Sequence, residues 1–218
     1  MRKEEKIYKI LESKLSTLEM QEKYLNLLNF KIEENRKSMG GLAIIMILLF
    51  LAFPLLIQTK ISEISVGPFK LLDNTFAISI IPSVFAFCYY KYIMIWVDLS
   101  EQKNIYKCLT SKIFDIEYKS YLNIRLRSFS LIDSIENYNN NNQKTTPFGC
   151  LVDLIYLPVI IAIILMPYFF EYYCANFLFH KYGINSILNF IFFFSPIVLG
   201  LCTISIFFQV GKKDIYEL

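Results

Sequence analysis

Four apolar blocks divide the chain, each separated from the next by charged or polar residues. The first runs without interruption from Leu42 to Ile57 as LAIIMILLFLAFPLLI. At 1.5 Å per residue it reaches about 24 Å, slightly short of a ~30 Å hydrocarbon core, so flanking residues are expected to join it. The second runs from about Phe76 to Val97, the third from Leu151 to Phe170, and the fourth from Ile187 to Val210. Runs of this length and apolarity predict transmembrane helices. The expected fold class is an all-α membrane protein: four transmembrane helices, an N-terminal amphipathic cytoplasmic helix and a central cytoplasmic helical segment.

The polar stretches have a period of their own. Leu11, Leu18, Leu25 and Ile32 recur every seven residues, with Ile7, Leu15 and Leu28 on the same face and Lys9, Glu12, Glu19, Lys23 and Glu33 opposite. That pattern predicts one amphipathic helix over 3–37, widened towards the membrane by Tyr24, Leu27 and Phe30. Met39-Gly40-Gly41 is expected to end it, because paired glycines are poor helix formers. Between the second and third blocks, Ile105, Leu109, Ile113 and Ile116 hold helical spacing, as do Leu122, Leu126, Phe129 and Ile132. Leu122 to Arg127 also alternates like a strand, but with no partner strand in view helix is preferred. An Asn-rich linker follows, over 137–147. Five segments result: an N-terminal helix over 1–40, a first transmembrane hairpin over 41–97, a cytoplasmic segment and linker over 98–150, a second transmembrane hairpin over 151–210, and a tail over 211–218.

Composition supports the spans: 55% of the 218 residues are hydrophobic and 19% charged, against about 25% charged in an ordinary soluble domain. The mean hydropathy is +0.43. A net charge of +3 is too small to argue for nucleic acid, and its distribution says more than its sum. Residues 1–40 hold nine Lys and Arg, 98–150 hold seven and the tail two, whereas the opposite side has only Lys60, Lys70 and Lys181. The positive-inside bias therefore predicts that both termini and the middle segment are cytoplasmic. The late first block argues against a cleaved signal peptide, so the first span is expected to remain attached.

Little in the chain suggests chemistry. The five cysteines have no CxxC spacing, which argues against a disulfide framework or a zinc site. His180 stands alone in the predicted outer loop over 171–186. No GxSxG, HExxH, P-loop or dinucleotide fingerprint occurs, so no catalysis and no cofactor are expected. Nor does any acidic residue fall near the middle of a predicted span, which disfavours coupled transport. Lys91 is the one ionisable residue well inside a block, and such a residue is a site candidate. It has alternatives: its long stem can snorkel to the headgroups among Tyr89, Tyr90 and Tyr92, or pair with Asp153. Arg125 and Arg127 are candidates for contact with a partner or with headgroups, or simply a solvated face. Leu11, Leu18, Leu25, Leu28 and Ile32 form a candidate association face, with another copy or a cytoplasmic protein as partner.

The order of elements, from the Leu11–Ile32 heptad through four spans ending at Val210 with cytoplasmic termini, resembles the membrane subunit of the Kiwa anti-phage defence system. The resemblance implies a homo-oligomer of the bacterial inner membrane. Such a protein would sense phage-induced perturbation and engage a cytoplasmic DNA-binding partner; the chain itself is not expected to bind nucleic acid directly. The competing expectations are a small channel or permeabilising effector, gated by the phenylalanines of the fourth block, and an accessory subunit of a transport complex.

Overall fold

The computed structural model describes residues 7–9, 13, 15, 17–58, 64–66, 69–71, 74–117, 147–183 and 187–210, with backbone alone at 64–66, 69–71, 74, 147–164 and 207–210. Its main elements are helices α1 (Leu18–Gln58), α2 (Asn74–Ile113), α3 (Pro147–Tyr182) and α4 (Ile187–Val210). Between α1 and α2, strands β1 (Ile64–Val66) and β2 (Phe69–Leu71) pair antiparallel, with Ile64 opposite Leu71 and Val66 opposite Phe69. The hairpin adds to the all-α expectation. Three-residue strands are too short for an alternating pattern to register, and the sequence there offers only Gly67-Pro68 as a turn signal. The strand-like stretch 122–127 lies outside the described residues.

Among the described residues, α1, α2 from Thr75, and α4 as far as Ile206 are long and apolar enough to cross a membrane. The chain thus has the helices of a multi-pass membrane protein. Their lengths differ from the expectation. α1 has 41 residues and α2 has 40, about 60 Å each, twice what the hydrocarbon core requires.

α1 begins where Thr17 caps it, the Met20 amide donating to Thr17 Oγ1 at 3.3 Å, a common N-cap arrangement. It then passes through Gly40-Gly41 instead of ending there. Each glycine costs a helix only about 1 kcal/mol relative to alanine. Good helix formers on both sides outweigh that, and once started a helix propagates cheaply. α2 likewise continues past Val97 into the charged stretch and stops after Ile113, where Asp115 takes the left-handed conformation (φ 48°).

Two compact units are present: Met1–Asn35 with Asp98–Ala162, and Arg36–Val97 with Ile163–Leu218. In the first, the Asn35 amide donates to Gln102 Oε1 at 3.1 Å. Leu28 and Ile32 share a helical face with Asn35, and Leu99 and Leu109 share one with Gln102. All four are buried, and the Asn35–Gln102 bond marks where α1 meets α2, the seam of this unit. In the second unit a core gathers Phe53, Ile78, Ile81, Phe85, Phe170, Cys174 and Leu178. Phe53 is its centre, fully buried, with ring contacts to Phe170 at 5.7 Å, Phe177 at 5.9 Å and Tyr173 at 6.0 Å. Around it Ile44, Ile47, Leu48, Leu51 and Leu55 of α1 stay exposed, as suits side chains bathed in lipid.

Candidate functional site

The candidate site grows from the course of α3. Sequence reading ended the third span at Phe170 and opened an outer loop at Glu171, but the helix runs on to Tyr182 and is followed by Gly183 in the left-handed conformation (φ 63°). Phe170, Cys174 and Leu178, spaced four apart, are buried on one face of this continuation. The Phe170 ring lies 4.5 Å from that of Phe85, near the middle of the second apolar block. Glu171 is the next residue. A Cβ added at Gly200 would stand 3.5 Å from Glu171 Oε2 and 3.8 Å from Tyr168 Cε1, and Gly200 lies near the midpoint of the 24-residue α4. Glu171 therefore lies within a continuous helix, level with the middle of α4, and not in a loop that follows the third span.

Glu171 is only 9% exposed, and its Oε1 is buried without a hydrogen-bond partner among the described residues. Tyr89 of α2 meets Tyr168 edge-on, with ring centroids 5.7 Å apart. One turn further along α3, Cys174 is fully buried. Glu171 also forms part of the wall of a groove of about 490 Å³ between α3 and α4. Tyr168, Tyr172 and Phe179 line one side, and Phe193, Pro196 and Ile197 the other. Pro196 shapes the far wall. With no amide of its own, it leaves the Phe192 carbonyl without its helical donor. The Ser83 hydroxyl from α2 donates to that carbonyl at 3.4 Å and shares a hydrogen bond with Ser195 at 2.7 Å.

No family model, curated protein or solved structure matches this chain. What the site does is therefore read from its own geometry.

The residues singled out in the sequence lie elsewhere. Leu28 and Ile32 are buried inside the first unit, Leu25 is half-buried and Leu18 is 59% exposed; Leu11 lies outside the described residues. The heptad is thus partly buried within the chain, while Met20, Leu27 and Phe30 of α1 remain exposed. Lys91 is exposed on α2, its Nζ 6.0 Å from the Phe87 ring centroid. The side chain of Asp153, and both Arg125 and Arg127, lie outside the described residues. His180 is exposed near the end of α3, beside Phe179. Of the fourth-block phenylalanines, Phe192 packs on Phe76 and Phe193 on Phe179. The signal that pointed to Glu171 was the four-residue spacing of Phe170, Cys174 and Leu178, masked by the polar residues Glu171, Asn176, His180 and Lys181, which lower local hydropathy.

Proposed function

We propose that this chain is a non-enzymatic inner-membrane subunit of four spans, which registers the state of the bilayer and passes it to a cytoplasmic partner. The observation that carries the reading is the continuity of α1 and α2. Each runs as one helix from an apolar stretch into a charged one, so its backbone hydrogen-bond ladder crosses the junction without a break. A change of bilayer thickness or tension alters the tilt of a span, and an unbroken helix carries that change to the seam at Asn35 and Gln102.

The charge distribution supports placing that seam in the cytoplasm. The exposed Met20, Leu27 and Phe30 of α1 are an apolar surface for a partner or a second copy, beside the heptad that first suggested association. The defence setting rests on the architectural resemblance to the Kiwa membrane subunit.

The test is a pair of cysteines across the seam, Asn35→Cys with Gln102→Cys, in a chain whose native cysteines are replaced by serine. Disulfide yield is measured in vesicles of short-chain and of long-chain phosphatidylcholine. The relay requires a yield that differs between the two bilayers, and requires a Gly41→Pro substitution to remove the difference. Equal yields in both bilayers would exclude it.

A further inference from the structure

We propose that the groove between α3 and α4 binds a lipophilic organic cation, with Glu171 as its counter-charge and aromatic rings as its walls. This goes beyond the relay and does not depend on it. A groove of about 490 Å³ falls within the size range of sites for drug-sized molecules. Its lining holds four aromatic rings, those of Tyr168, Tyr172, Phe179 and Phe193, and a single charged residue, Glu171, with no Lys, Arg or His.

The chemistry of the wall selects the ligand. Glu171 is nine-tenths buried, and its Oε1 lacks a hydrogen-bond partner among the described residues. An isolated carboxylate away from water is costly and gives way to the neutral acid unless a positive charge meets it, so a cation in the groove is what would hold Glu171 ionised. A neutral lipid tail would fill the groove but leave that oxygen unmet. A hard metal cation wants six or more oxygens, and beside Glu171 the lining offers only the Asn176 side chain and two tyrosine hydroxyls. A diffuse cation with an apolar body satisfies every part of the wall at once, because aromatic faces attract such cations as well. Access comes from the exposed face of α3, where Tyr172 is 74% and Phe179 51% exposed. Gly200 flanks the site: a Cβ there would already touch Glu171 Oε2 at 3.5 Å, so a large side chain would crowd the carboxyl.

The experiment is equilibrium dialysis of radiolabelled tetraphenylphosphonium against the full chain purified in a neutral maltoside detergent. Wild type is expected to bind it saturably, and not to bind tetraphenylborate, which has the same shape and the opposite charge. Glu171→Gln, isosteric and uncharged, should weaken binding at least about tenfold, roughly the loss of one modest charge interaction. Gly200→Leu, which fills the space beside the carboxyl, should abolish binding, while Lys91→Met should leave it unchanged. Gel filtration of each variant as a single wild-type-sized peak guards against misfolding. Three results would each overturn the proposal: no saturable binding by wild type, equal binding of both ions, or a correctly assembled Glu171→Gln chain that binds as tightly as wild type.

Discussion

Single residues here are decided by what surrounds them more than by their type. Gly40 and Gly41 look like helix breakers in the sequence, yet both lie within α1, and a Cβ added at either would meet nothing within 4 Å. Replacing either with alanine should therefore stabilise the chain by about 0.5–1 kcal/mol, measured by thermal unfolding in detergent; a loss of stability would mean that the helix is broken there. Phe53 is the opposite case, fully buried against three rings. In lipid the hydrophobic effect gives little, but the lost dispersion contacts still count. Phe53→Ala is expected to cost about 3 kcal/mol in the same assay, whereas Leu51→Ala, on the exposed side of α1, should cost little. Glu171 was misread in the sequence because hydropathy averages over neighbours. A lone acid among polar and aromatic residues lowers the mean and reads as a loop, although its helical neighbours Phe170 and Cys174 already marked a buried face.

At the scale of elements, the seam between α2 and α4 turns on a missing hydrogen. Pro196 withholds an amide from the Phe192 carbonyl, and the Ser83 hydroxyl approaches that carbonyl from the neighbouring helix. Ser83→Ala should cost roughly 0.5–1.5 kcal/mol, the range for polar contacts between membrane helices. In a Pro196→Ala background, where the backbone supplies its own donor, the cost should shrink. A double-mutant cycle measures this coupling directly, and strict additivity would refute it. Existence and type of the long helices were legible in the sequence, since apolar runs and heptads report them strongly. Their ends were not. The charged stretches after Val97 and before Leu42 continue the same helices, and no hydropathy boundary distinguishes a helix leaving the membrane from one that stops. The β1–β2 hairpin was marked only by Gly67-Pro68.

At the scale of the molecule, the chain has the helices of a multi-pass membrane protein, and the proposed orientation puts its charged helix ends and middle segment in the cytoplasm and its β1–β2 hairpin outside. Native cysteines do not report it well. Cys174, expected from the sequence in an outer loop, is fully buried, and so is Cys108. Engineered positions do better: Ser65→Cys in β1, and Phe114→Cys just past α2, where the native side chain is 51% exposed. Each is placed in a chain lacking its native cysteines and expressed in intact spheroplasts. The most direct test is labelling with a membrane-impermeant maleimide. The expected result is that Ser65→Cys labels in intact cells and Phe114→Cys labels only after permeabilisation. Labelling of Phe114→Cys in intact cells, with Ser65→Cys protected until permeabilisation, would contradict the orientation, and labelling of both in intact cells would contradict the crossing of α2 itself.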